Sequence, residues 1–163
     1  MGIFDKLFGG KNDHISVAAP VTGEAVPLSE VSDPTFGEEI LGKGAAIRPT
    51  EGKVYAPFDG TVDMMFETGH AVNLISDDGV ELLIHVGLDT VKLKGEHYTA
   101  HVQNGDKVKL GQLILEFDPA AIAAAGYDVI TPVVVCNTAD FAAVTPQLGT
   151  LTHGDALLTL TKS

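Results

Sequence analysis

One turn is used twice in this chain, and it constrains the fold more than any other feature. Ala19-Pro20-Val21-Thr22-Gly23-Glu24-Ala25-Val26 returns as Ala56-Pro57-Phe58-Asp59-Gly60-Thr61-Val62. In each copy proline presets φ and glycine allows a tight reversal, so each reads as a strand, a turn and a strand. From Ile15 onward, short runs of Val, Ile and Leu are separated by Gly, Asp and Pro. Gly105-Asp106-Lys107-Val108-Lys109-Leu110-Gly111 and Gly154-Asp155-Ala156-Leu157 mark further hairpins. This pattern predicts an all-β, antiparallel sandwich or barrel with a few single-turn helices. Asp33-Pro34 can open one such turn, carrying Phe36, Ile40 and Leu41 before Gly42. Asp118-Pro119 opens another over Ala120 to Ala125 that stops at Gly126, and a third is expected from Ala139 to Val144 ahead of Pro146.

At 163 residues the chain is long enough for one domain with a core that needs neither disulfide nor metal. Residues 1–14 read as a flexible amphipathic tail and linker and 15–163 as the domain. In the tail Ile3, Phe4, Leu7 and Phe8 share a helical face ahead of Gly9-Gly10. Two turns are too few to be helical in water, so the expectation is weak contact of residues 1–8 with a membrane surface, or ordering against the body. The formal charge of -12, with only 10 Lys and Arg, argues against nucleic acid and favours protein partners with basic surfaces. The single cysteine, Cys136, follows Val133-Val134-Val135 and reads as a buried small hydrophobe, compatible with a reducing compartment. No stretch is apolar enough to span a bilayer and no secretion signal opens the chain, so a cytoplasmic monomer is expected.

The chemistry-bearing segment is Gly79-Val80-Glu81-Leu82-Leu83-Ile84-His85-Val86-Gly87-Leu88-Asp89-Thr90-Val91. Period-two alternation sends Val80, Leu82, Ile84 and Val86 to one face and Glu81, Leu83 and His85 to the other. A second imidazole lies upstream in Phe66-Glu67-Thr68-Gly69-His70-Ala71. Histidines on consecutive strands of a hairpin can stand side by side, an arrangement suited either to a metal or to a histidine that carries a phosphoryl group. His14, His97, His101 and His153 read as exposed or structural.

These two segments resemble those of the glucose-type enzyme IIA family of the bacterial phosphoenolpyruvate-dependent sugar phosphotransferase system. Ile47-Arg48-Pro49-Thr50, Ala56-Pro57-Phe58-Asp59-Gly60-Thr61, Leu93-Lys94-Gly95-Glu96, Thr131-Pro132-Val133-Val134 and the leader Met1-Gly2-Ile3-Phe4-Asp5-Lys6-Leu7 are similar as well. The resemblance implies a duplicated-hybrid-motif sandwich and a carrier without nucleotide. In that reading His85 accepts a phosphoryl group from the phosphocarrier HPr and passes it to a cysteine on the IIB domain of a sugar transporter. His70 supports the phosphate, Thr68 is the relay hydroxyl beside it, and Asp89 borders the site. Phe36, Ile40, Leu41, Phe66 and Val91 would form an apolar docking rim, with Asp33, Glu38, Glu39 and Asp89 as the acids around it. The family also implies regulatory binding of permeases or glycerol kinase by the unphosphorylated form. No cofactor is intrinsic to it, although a zinc ion can be shared with a partner protein. The chain departs from the family pattern at Pro34-Thr35, at Val86 where phenylalanine is usual, and at Gly69 in place of asparagine.

Three other readings compete. A zinc-dependent hydrolase could use His70 and His85, but Gly87 denies the chain a His-x-His pair, and His97 and His101 lack the glutamate of a helical zinc motif. A biotinyl or lipoyl carrier shares the turn patterns but needs a lysine at a hairpin tip, and Lys92 and Lys94 lie in a strand-like run. A purely regulatory protein-binding module overlaps with the carrier.

Overall fold

The repeated turn in the sequence is a repeated turn in space. The computed structural model describes residues 13–163, and the tail expected over residues 1–8 lies outside them. In chain order the strands are β1 (His14–Ala18), β2 (Gly23–Val26), β3 (Lys43–Pro49), β4 (Lys53–Tyr55), β5 (Gly60–Met65), β6 (Ala71–Ser76) and β7 (Glu81–His85). They continue as β8 (Tyr98–Ala100), β9 (Lys107–Val108), β10 (Leu113–Phe117), β11 (Thr131–Val135), β12 (Phe141–Pro146), β13 (Gly149–Leu151) and β14 (Ala156–Lys162). The first copy of the turn leads into the hairpin β2–β3 and the second into β5–β6. Gly23 stands opposite Pro49 and Gly60 opposite Ser76. In both places a Cβ would run into a carbonyl of the facing strand, that of Arg48 or of Ile75, which is why each copy needs glycine there.

Both hairpins belong to one sheet of order β13-β2-β3-β11-β7-β6-β5-β9, and smaller sheets, β1-β14-β12 and β4-β10-β8, pack with it. Every pairing is antiparallel, as the sequence predicted. The main core includes Ile47, Leu74, Leu82, Ile84, Ile114 and Leu157, gathered from all three sheets. Each such buried side chain contributes roughly 1.5–3 kcal/mol. A second apolar cluster lies on the other face of the large sheet, where Ala46, Ala71, Leu83 and Val134 are covered by Val26, Leu28, Val31 and Phe36 from β2 and the β2–β3 connection. The alternation read in β7 is the reason for both clusters. Leu82 and Ile84 enter the main core, and Leu83 joins the covered outer face together with half-buried His85.

Two helices fall at the predicted starts. Helix α1 (Pro34–Gly37) is capped by the Asp33 carboxylate, which accepts from the Thr35 N–H. It is shorter than expected and ends before Ile40 and Leu41. Helix α2 (Pro119–Ala124) is capped in the same way by Asp118 and stops ahead of Gly126, which takes φ of +97°. The third helix, expected from Ala139 to Val144, does not form. Only a 3-10 turn over Thr138–Asp140 is helical, and Phe141–Pro146 become β12, because pairing with β14 outweighs the local alanine preference.

Cys136 also differs from expectation, being exposed rather than buried. It falls on the outer face with Val134, one residue past the end of β11 and outside the second cluster. His14, assigned to the linker, opens β1 opposite Thr161.

Candidate functional site

Strands β6 and β7 pair with Ala71 opposite His85, so His70, immediately before β6, is brought alongside the end of β7. The Val86 N–H donates to the His70 carbonyl at 2.7 Å and extends the ladder by one bond. The two imidazoles lie edge to face, with centroids 4.9 Å apart and planes at 82°. His70 is only 3% exposed, whereas His85 is half-buried. Phe66 meets the His70 ring edge-on at 5.4 Å and Phe36 lies against the His85 ring at 5.1 Å.

Local backbone geometry sets the direction of each ring. Between Thr68 and His70 the chain reverses through Gly69 at φ of +73°, and the Thr68 hydroxyl is hydrogen-bonded to His70 Nδ1. His85 Nδ1 lies 2.7 Å from the Gly87 carbonyl oxygen. A carbonyl only accepts, so Nδ1 carries the proton and the lone pair of the neutral ring is on Nε2. Gly87 can present that carbonyl because it takes φ of +89°, and a Cβ there would press on the Thr90 side chain.

Burial sets the protonation states. The His70 pKa is lowered to about 4, first by desolvation and then by the neighbouring His85. Desolvation also lowers the pKa of His85, against the opposing influence of the Gly87 carbonyl, Asp33 and Asp89. Near neutral pH the site therefore holds two uncharged imidazoles. His85 has its nucleophilic nitrogen free of the bond that orients it.

The structure brings His85, His70 and Thr68 together as the sequence indicated. Asp89 is exposed beside them, and Ile40 and Val91 are well displayed at 68% and 53% exposure, with Leu41 also exposed. Phe66 is half-buried. Phe36 departs from its assigned place on a docking rim. It is 5% exposed and belongs to the second cluster, because α1 folds onto the sheet and turns Phe36 inward. Its bearing on the site is through packing against His85.

Two further residues belong to the site that the sequence did not single out. Buried Thr90 and half-buried Tyr98 both donate to the Val86 carbonyl, at 2.7 and 2.8 Å. Thr90 stood inside the His85 segment as an unassigned hydroxyl, but nothing local connects Tyr98 to Val86. Among the remaining histidines, His101 pairs with Glu116 at 3.0 Å and His153 stacks on Tyr55 at 3.8 Å between centroids. Among the described residues no three His, Cys, Asp or Glu side chains converge as a ligand set, and no helix is long and apolar enough to cross a membrane.

Comparison with known proteins bears directly on this site. Residues 15–141 match the family model for the phosphoenolpyruvate-dependent sugar phosphotransferase system, EIIA 1. The glucose-specific EIIA component of Haemophilus influenzae is 40% identical over 97% of both chains. The beta-glucoside-specific EIIBCA component of Dickeya chrysanthemi is 50% identical over 86% of this chain, and that of Bacillus subtilis 48% over 88%. The chain spans only 22% and 24% of the length of those two relatives. In structure it superposes on the glucose permease IIA of Mycoplasma capricolum with a TM-score of 0.86 at 31% identity, covering 91% of this chain and 97% of that one. With a family match across most of its length, a whole-chain relative and a shared β-sandwich, this chain belongs to the EIIA family of the phosphoenolpyruvate-dependent sugar phosphotransferase system.

Proposed function

We propose that this chain is a phosphohistidine carrier in which His85 Nε2 is the acceptor. The carrying observation is the Nδ1–Gly87 hydrogen bond, which fixes the ring and its tautomer while leaving Nε2 free. In the accepting step the Nε2 lone pair attacks the phosphorus of a phosphohistidine on the carrier HPr. A new N–P bond forms as the donor's N–P bond breaks, and the Nδ1 proton stays in place. In the donating step a cysteine thiolate of a IIB domain attacks that phosphorus, the S–P bond forms, and the ring returns to its neutral state.

Both steps are chiefly matters of alignment and of stabilising charge on the equatorial oxygens. His70 is the fixed donor in this reading, with the Thr68 hydroxyl donating to Nδ1 so that Nε2–H is available to a phosphoryl oxygen. Exposed Ile40, Leu41 and Val91 serve as the docking surface, bordered by Asp33 and Asp89. This places the chain in the cytoplasm, where donor and transporter domains meet it. Permeases or glycerol kinase are further partners of the same face when it is unphosphorylated. A phosphoryl group adds about two negative charges to an already acidic rim and would expel them. A zinc ion at the site would take two ligands from His85 and His70 and need the rest from a partner, acting as a bridge between the proteins.

Intact mass after incubation with phosphoenolpyruvate, enzyme I and HPr tests the reading. Wild type should gain one acid-labile phosphoryl group, His85→Gln none, and His70→Gln should gain one without passing it on. An unmodified wild type would overturn the proposal.

A further inference from the structure

We propose that Tyr98 is a positioning residue for the reaction of His85, acting through the peptide arch that sets the orientation of the His85 ring. The proposal deepens the phosphocarrier reading and rests on it. The arch runs from Val86 to Thr90, and His85 depends on it because its Nδ1–H is held by the Gly87 carbonyl. Glycine at φ of +89° cannot hold that carbonyl still by its own conformational preference, since it is the least restricted of residues. Bonds from outside must therefore fix the arch.

The Val86 N–H is tied to the His70 carbonyl, the Gly87 N–H donates to Ile130 at 3.1 Å, and the Leu88 N–H to Asp128 at 2.9 Å. The remaining group, the Val86 carbonyl, accepts from both Thr90 Oγ1 and Tyr98 Oη. Thr90 belongs to the arch itself and moves with it. Tyr98 comes from β8, in the separate sheet β4-β10-β8, where it stands opposite Phe117. Its hydroxyl is thus a brace to that carbonyl from another sheet.

The same ring also reaches the other histidine. The Tyr98 and His70 centroids are 6.4 Å apart, and a Cβ on Gly69 would touch the Tyr98 Cβ. One side chain therefore backs the turn that carries His70 and holds the arch that orients His85. Desolvation raises the Tyr98 pKa, so the phenol keeps its proton near neutral pH and remains a donor. Effective alignment of a nucleophile is worth large rate factors, and a small loss of angular restraint at His85 is costly when nucleophile, phosphorus and leaving nitrogen must be collinear.

Tyr98→Phe removes one oxygen and leaves the ring packing in place. The first readout is the His85 Nδ1–H proton resonance and the ring 15N shifts, followed in the unphosphorylated protein. Wild type should show a protected Nδ1–H and a single tautomer. Tyr98→Phe should broaden or lose that proton through exchange, with His70 shifts little changed. The second readout is the rate of phosphoryl transfer from phospho-HPr, which should fall on the order of tenfold with unchanged KM. Thr90→Val, which removes the other donor to the same carbonyl, should act in the same direction.

An unchanged Nδ1–H signal together with a rate within twofold of wild type would overturn the assignment. So would a rise in KM alone, which would make Tyr98 part of the docking surface. If wild type accepts no phosphoryl group, the carrier reading fails while the resonance still reports whether Tyr98 orients His85, so the two failures are separable.

Discussion

The two hairpins that follow the repeated turn are built alike at one end and differently at the other. At the turn end, Gly23 and Gly60 meet facing carbonyls in the same way. At the other end, the connection between β2 and β3 runs from 27 to 42, whereas that between β5 and β6 runs only from 66 to 70. The long connection holds α1 and covers the outer face of the sheet, burying Phe36 and leaving Ile40 and Leu41 exposed. The short one has no room for a cap. Its five residues form a tight reversal that sets Thr68 and His70 beside His85. A duplicated unit has thus diverged into a cover that shapes the surface and a turn that supplies the chemistry, because connection length decides whether a segment can build its own apolar contacts.

The strongest way to break this comparison is to remove what holds the cover down. Phe36→Ala deletes a 5% exposed ring from the second cluster and should cost about 3–5 kcal/mol, read as a lower urea midpoint. Phe36→Leu should cost about 1–2 kcal/mol, since most of the volume is kept. If Phe36→Ala unfolds at the wild-type midpoint, the long connection is no structural cap and its contrast with the short one fails.

The short connection makes a different prediction, one that depends on pH. With a pKa of about 4 in the folded chain and 6.5 in the unfolded one, His70 takes up its proton on unfolding throughout the interval between. The unfolded state then binds more protons, so stability falls as pH drops from about 6.5 towards 4 and is independent of His70 above that window. The full loss is about 3 kcal/mol. Urea unfolding at pH 7.5 and pH 4.5 should show wild type losing most of this, and His70→Gln should lose less by a similar amount. Equal losses in the two proteins would mean that His70 is not held neutral by its surroundings, and that the short turn exerts no electrostatic constraint.

These differences follow the range over which each feature is determined. The hairpins were legible because Pro, Gly and Asp act within four residues and period-two alternation needs only a single strand. His85 and His70 were legible for the same reason, since a hairpin pairs neighbours in sequence. Phe36 was misplaced because its burial depends on Leu83 and Val134, which come from strands far along the chain. Cys136 was misjudged where the covered face ends, a limit set by the reach of another segment. Phe141–Pro146 carried a local alanine preference that was outweighed by β14, contributed from the chain's C-terminal end. Tyr98 was missed because its role is a single bond across sheets.

The smallest expected effect sharpens the contrast most, because it separates the two functions of the long connection. Ile40 is 68% exposed, so Ile40→Ser should leave stability within about 0.5 kcal/mol of wild type. A monomer that keeps so large an apolar side chain in water, next to exposed Leu41 and across the site from Val91, uses it in association with another protein. Ile40→Ser should therefore raise the phospho-HPr concentration giving half-maximal transfer, on the order of tenfold, with the maximal rate unchanged. That outcome is the reverse of the one expected for Tyr98→Phe, where the maximal rate falls and KM holds. Were Ile40→Ser to lower the maximal rate instead, the exposed end of the long connection would be acting on the alignment of His85, and cover and chemistry would not be divided between the two connections.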